Sequence, residues 1–147
     1  MAKTYHGSCI CGAVKFEAET DFSEGTGKCN CTVCGKLRYW GKKVKPADFR
    51  FVSDPTVNIF PSNGPIESTL LSEYTLKSPA IHNVFCKKCG THVFHTGNIP
   101  QLGGEWVSVN LACIDDIDPS ELAGVAVKYA DGKNDNWWNE PKEKSIL

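Results

Sequence analysis

An excess of charge of either sign is missing from this sequence: 16 lysines and arginines stand against 17 aspartates and glutamates over 147 residues, a formal net charge of −1. A chain so close to neutral exerts no general pull on DNA, RNA or anionic lipid, so nucleic acid is not an expected partner. Long apolar runs are also lacking. None approaches the roughly 20 residues that a membrane-crossing helix needs, and residues 1–7 lack the apolar stretch of a signal peptide. The expectation is therefore no membrane partner and a cytoplasmic, reducing setting. Internal repeats, linkers and low-complexity tracts are absent too. The length then suits one domain over residues 1–130, with 131–147 as a C-terminal tail packed on it or trailing from it.

What is present reads mainly as short strands bounded by Gly, Pro and Asn. Residues 12–19 alternate, with Val14, Phe16 and Ala18 on one face and Lys15, Glu17 and Glu19 on the other, the pattern of a half-buried strand. Residues 49–52 and 57–60 look similar, and Pro61-Ser62-Asn63-Gly64-Pro65 marks a turn before a further strand over 70–76. Strands are also predicted over 82–85, 92–95 and 105–111. Only one helix start is legible: Asp118 as N-cap, Pro119 at the first helical position, and Gly124 to stop it after about one turn. The fold class is mainly β.

Eight cysteines stand in this background, seven of them in three groups: Cys9-Ile10-Cys11-Gly12, Cys29-Asn30-Cys31-Thr32-Val33-Cys34 and Cys86-Lys87-Lys88-Cys89-Gly90. A Cys-x-x-Cys turn followed by Gly suits a zinc knuckle, with two sulfurs at about 2.3 Å from one ion and backbone amides turned toward the thiolates. In a reducing compartment such groups favour metal over disulfides. A thioredoxin-like redox centre would need a βαβ setting that the pattern lacks. Seven sulfurs cannot close two tetrahedral sites. They can make one four-thiolate site and one three-thiolate site with an open position, the division between structural and catalytic zinc. Spacing leaves the pairing open. Cys31 and Cys34 could join Cys86 and Cys89 as a zinc ribbon, leaving Cys9, Cys11 and Cys29 over. Alternatively, Cys9 and Cys11 could join Cys86 and Cys89, leaving Cys29, Cys31 and Cys34 as a local tripod.

The three motifs, in this order and spacing and with Gly7-Ser8 before the first and Phe85 before the third, resemble those of the glutathione-dependent formaldehyde-activating enzyme family over roughly residues 4–130. The resemblance implies a β-tent fold of several short, coiled antiparallel sheets. It implies two zinc ions per chain: a structural one on Cys9, Cys11, Cys86 and Cys89, and a labile or catalytic one on Cys29, Cys31 and Cys34. It further implies condensation of glutathione, as co-substrate, with formaldehyde, a carbon–sulfur lyase reaction in the reverse sense. Many members follow the middle motif with a basic pair. Here Gly35-Lys36 and then Leu37-Arg38 follow, so the positive charge is displaced.

The chemistry of an open three-thiolate zinc agrees with this. Three thiolates make the ion a weak Lewis acid toward carbonyls but a good holder of a fourth soft ligand, a small-molecule thiol. Lys36 and Arg38 are the nearest cations for the carboxylates of such a thiol, and Tyr39 and Trp40 are candidates to wall its pocket. The plainer reading puts all four on a strand with alternating core and solvent faces. A non-enzymatic zinc-stabilised protein-binding module is the alternative to an enzyme. A zinc-ribbon nucleic-acid binder rests only on the strip Lys36, Arg38, Lys42, Lys43 and Lys45. Cys113 reads as a core thiol, with fourth-ligand duty as the alternative. His92 and His95 read first as ordinary polar strand residues, with a proton shuttle or an extra ligand as the alternative. Trp137-Trp138 is the one apolar feature of the tail, suited to covering an edge or to self-association in a homodimer.

Overall fold

Alternation of apolar and polar residues builds the smaller of two sheets in the computed structural model, which describes residues 1–147. Strand β1 (Lys3–Ser8) turns Tyr5 and Gly7 inward, and β2 (Lys15–Thr20) turns Phe16, Ala18 and Thr20 inward. The two pair antiparallel with Tyr5 opposite Ala18 and Gly7 opposite Phe16. The short β5 (Phe49–Phe51) adds two inward phenylalanines on the free side of β2.

The larger sheet has seven strands in the order β10-β3-β4-β9-β8-β7-β6. They are β3 (Thr26–Cys29), β4 (Trp40–Val44), β6 (Leu71–Tyr74), β7 (Ile81–Cys86), β8 (His92–Ile99), β9 (Gly104–Asn110) and β10 (Val127–Ala130). Both sheets are open, and the mainly β expectation holds. Every pairing is antiparallel except that of β10 with β3. Those two strands lie far apart in the chain, and so long a connection permits a parallel ladder where a hairpin would not.

The sheets meet through phenylalanines. Phe94 of β8 is fully buried, with ring centroids 4.8 Å from Phe49 and 6.4 Å from Phe16. Val84, Val107 and Val109 complete that face of the large sheet. By the strand period of two, the opposite face carries Asn83, His95, Gly97, Trp106 and Ser108, which are cross-strand partners. β8 is buried from Val93 to Gly97 on both faces.

Two expectations need correction. Residues 57–60 form no strand. The Asp54 side chain accepts the Thr56 N–H at 3.0 Å and starts a turn, so no ladder forms, although Ile59 is still buried. The helix at residue 118 is not alone. α2 (Pro119–Leu122) has the capping box of Asp118 and Glu121, but α1 (Thr32–Leu37) precedes it and carries the middle cysteine motif. Thr, Val and Gly are weak helix formers, which hid α1 from a propensity reading. The basic strip is likewise broken: Lys42 is buried and donates to the Gly25 carbonyl at 3.0 Å. No helix is long and apolar enough to cross a membrane.

The ring of Phe94 is the joint between the sheets. Phe94→Ala is expected to cost about 3–5 kcal/mol in chemical denaturation, the range for a truncated core phenylalanine. A loss below about 1 kcal/mol, typical of a surface change, would remove it from that role.

Candidate metal centres

The first centre forms where the two sheets touch. Cys9 follows the end of β1, Cys86 ends β7, and Cys11 and Cys89 lie in the turns that follow each. All four sulfurs lie within 4.8 Å of one another. Cys9 Sγ is 3.5 Å from Cys11 Sγ, and Cys11 Sγ is 3.8 Å from Cys86 Sγ. Four sulfurs at about 2.3 Å from one tetrahedral ion stand about 3.8 Å apart, whereas a disulfide needs about 2.05 Å. The spacing is that of metal ligands, and all eight cysteines are free thiols.

Each turn closes on a glycine bonded back to the first cysteine of its pair. Gly12 donates its N–H to the Cys9 carbonyl and Gly90 to that of Cys86, and both glycines hold positive φ, 78° and 76°. That conformation is costly for any residue with a Cβ. Backbone N–H groups of Val14 and Lys88 reach Cys9 Sγ and Cys86 Sγ, each at 3.3 Å. Donors from Thr91, hydroxyl first and backbone second, push the Cys89 thiol down to about 5, while burial pushes Cys86 up to about 11. Of the two pairings open in the sequence, the geometry takes the one that joins the first and third motifs.

The second centre is Cys29, Cys31 and Cys34, whose sulfurs also lie within 4.8 Å of one another. Cys29 ends β3, Cys31 is the N-cap of α1, and Cys34 lies in its first turn. The Cys31 sulfur accepts the Cys34 N–H at 3.4 Å, and Cys29 Sγ accepts the Cys31 N–H at 3.3 Å. A helix start thus presents both N–H groups and sulfurs at one point. As free thiols the three share charge unequally. Hydrogen bonds from Cys29 and then Cys34, with the N–H groups of Cys34 and Val33, push Cys31 down to about 2. The same contacts hold Cys29 and Cys34 above the ordinary thiol value. One negative charge spreads over three sulfurs, and a soft cation is what would draw all three to the thiolate form. Both sets therefore fit zinc by donor type and spacing.

The surroundings of this tripod come from elements far along the chain. Asn30, between the first two cysteines, donates to Asp131 Oδ1 at 2.8 Å and accepts the Lys133 N–H at 3.0 Å. A Cβ on Gly132 would sit 2.5 Å from the Trp137 ring and 2.8 Å from Cys29 Sγ, so only glycine lets both approach. Lys28 Nζ donates to the Leu147 main-chain oxygen at 3.0 Å, and Arg38 donates to that of Ile146. Leu147 lines a narrow slot with Lys28, Cys29, Cys34, Arg38 and Tyr39. Beside it lies a cavity of about 480 Å³ whose lining includes Asn30, Arg38, Asp131, Lys133 and Lys142.

The four residues read as pocket candidates have separate settings. Lys36 is exposed in the last turn of α1. Arg38 caps that helix in the left-handed conformation at φ 54°, and its side chain turns to the tail. Tyr39 is buried, stacks on His95 at 4.2 Å between centroids, and donates to the Ser108 carbonyl at 2.6 Å. Trp40 opens β4, donates to Thr26 Oγ1 at 2.7 Å, and lies under Lys28 Nζ at 5.2 Å. Sequence reasoning did not single out Lys28, Asn30, Gly132 or Asp131. Asn30 inside the middle motif, and a tryptophan pair in a polar tail, were the signals available. Cys113 lies outside both groups, buried and in contact with the His92 carbonyl at 3.6 Å, and burial pushes its thiol up to about 12.

The close packing at Gly132 sets an outcome. Gly132→Ala should keep the secondary structure and the four-sulfur centre but displace Trp137 or Cys29. The affinity of the tripod for zinc should fall about 10–100-fold, as for a lost supporting contact. Chelator competition resolves the two sites, and equal loss at both would contradict the assignment of Gly132 to the tripod.

Comparison with solved structures supports the fold. A crystal structure of a Rhodobacter sphaeroides protein superposes with a TM-score of 0.60 at 24% identity, covering 84% of this chain and 99% of that one. At the level of sequence, residues 4–131 match the family model described as glutathione-dependent formaldehyde-activating enzyme, a span that takes in all three cysteine motifs and stops at the residue that latches Asn30. The chain belongs to that family.

Proposed function

We propose that the chain is a zinc-dependent carbon–sulfur lyase-type enzyme that acts on a glutathione-like thiol and a small aldehyde. The observation that carries this reading is the unequal division of seven sulfurs: four closed upon one another between the sheets, three at a helix start with cations beside them. The closed set takes a structural zinc and the tripod a second, labile one. Zinc bound at the tripod supplies a soft fourth position, at which a substrate sulfur is held as thiolate.

The chain's own groups then orient the substrate. Lys28 and Arg38 now hold main-chain oxygens of the tail, and a carboxylate of a peptide thiol is the same kind of acceptor with a full charge. Arg38 keeps a left-handed backbone that costs an ordinary residue about 1 kcal/mol or more, consistent with a side chain aimed for use. Trp40 steadies Lys28 from below. The cavity beside the slot offers Lys133 and Lys142 to a second carboxylate. In the forward direction the sulfur lone pair bonds to the aldehyde carbon, and the carbonyl electron pair moves to oxygen, which takes a proton. The reverse breaks that carbon–sulfur bond. Residues 1–130 form the zinc domain in this reading, and 131–147 belong to the same unit as the wall of the pocket. A reducing, cytoplasmic setting keeps such thiols available.

Metal counting tests the division. Cys86→Ser should unfold the chain, because a structural zinc supplies on the order of 10 kcal/mol. Cys31→Ser should keep the fold and lose one zinc of two. Equal unfolding by both substitutions would refute the open tripod. Calorimetric titration of the zinc-loaded chain with glutathione tests the substrate class. Binding should weaken about tenfold in Arg38→Gln, the worth of one charge-assisted hydrogen bond. An absence of heat at millimolar glutathione would rule glutathione out.

A further inference from the structure

The slot beside the tripod has no room for a substrate sulfur and the carbon behind it. Its free volume is about 10 Å³, the space of a single water molecule. Leu147 is among the residues that close it, together with Cys29 and Cys34 of the tripod. The neighbouring cavity of about 480 Å³ is large enough for the body of a small peptide-like ligand, and it shares Arg38 and Leu147 with the slot. A ligand can therefore occupy the cavity while the sulfur position stays shut.

The segment that shuts it is held differently from the tail before it. Up to Asn139 the tail is folded on itself and on Asn30: the Asp131 N–H bonds the Asn139 carbonyl at 3.0 Å, and Asp131 also accepts from Asn30. Residues 144–147 form a turn of their own, closed by the Leu147 N–H on the Lys144 carbonyl at 3.1 Å. Lys28 and Arg38 hold the main-chain oxygens of Leu147 and Ile146. Lys144 lies 5.0 Å over the Tyr129 ring and pairs with Glu140. Ile146 is 65% exposed, and the Lys144 and Glu140 side chains are 46% and 53% exposed, so solvent weakens that pair. The turn is seated in the slot but lightly anchored.

We propose that residues 144–147 are a strap across the thiol site, and that Leu147 makes the site selective for thiols that carry a carboxylate. This rests on the reading of Cys29, Cys31 and Cys34 as a thiol site. The strap leaves when its neutral acceptors, the main-chain oxygens of Ile146 and Leu147, are replaced on Arg38 and Lys28. A carboxylate replaces them with a full negative charge and forms the stronger hydrogen bonds. A thiol without a carboxylate leaves both cations without an acceptor from the ligand, so it bears the whole cost of opening. Once the turn withdraws, Leu147 goes with it, and the slot admits the sulfur.

The test compares a thiol that carries carboxylates with one that has none. The full chain is loaded with cobalt(II) in place of zinc, so that sulfur-to-metal absorption reads the affinity of each added thiol. The probes are glutathione and 2-mercaptoethanol. Leu147→Gly takes the side chain out of the slot and should tighten 2-mercaptoethanol about tenfold or more, the worth of a partly buried leucine. Glutathione should gain less, so the preference between the two narrows. Lys144→Ala loosens the turn from outside the slot and carries the same test if the glycine variant fails to fold. It should tighten 2-mercaptoethanol about two- to fivefold, as for a lost exposed ion pair. Unchanged affinity for 2-mercaptoethanol in the folded variant would overturn the strap, as would weaker binding of both probes, the result for a lost pocket wall. If neither probe adds to the unsubstituted chain or to either variant, the open-tripod reading itself fails and this inference falls with it.

Discussion

The clasp of four sulfurs between the two sheets governs the rest of the architecture. Cys11 and Cys86 are 75 residues apart in the chain, yet their sulfurs lie 3.8 Å apart. They bring the end of the smallest sheet's first strand to the end of β7. Closing a loop of that length costs entropy that short strands recover poorly by themselves. The contacts of Phe94 with Phe16 and Phe49 lie between the same two sheets. Clasp and aromatic joint thus act on one interface, the first through soft ligands and the second through burial.

The tripod is built on a different principle. Its three cysteines span six residues, so no long loop has to close. What holds it is a helix start: the backbone donors at the N-terminus of α1 face the sulfurs of Cys29 and Cys31. A centre made so locally keeps a side that no fourth cysteine occupies. The one cysteine outside both groups, Cys113, is committed to the core. This asymmetry between a closed and an open set is the structural basis of the proposed chemistry.

Everything that gives the open set its character arrives from elsewhere. The latch of Asn30 on Asp131, the ring of Trp137 against Gly132, and the hold of Lys28 and Arg38 on the last residues bring the tail to one side. The aromatic stack of Tyr39 on His95 brings the outer face of the large sheet to the other. One side is basic and lined by backbone, and the other is aromatic.

The alternation of Val14, Phe16 and Ala18, and the cap and stop of the helix at residue 118, were legible because they depend on local spacing and backbone preference. So were the three cysteine groups, since two ligands on one turn must be close in the chain. α1 was not legible, because its helix is held by sulfur caps rather than by propensity. Nor was the irregular course of residues 57–60, where a side-chain turn outweighed an apolar alternation. By itself the sequence determined a mainly β chain with seven cysteines in metal-ligand spacing, and membership of a family that uses them. Only the tertiary structure decided which motifs share a centre, that Arg38 and Lys28 rather than Lys36 face the slot, and that Asp131 and Gly132 close on Asn30 and Cys29. Those are facts of long-range packing, in which residues a hundred positions apart come within a hydrogen bond, and no local pattern encodes them.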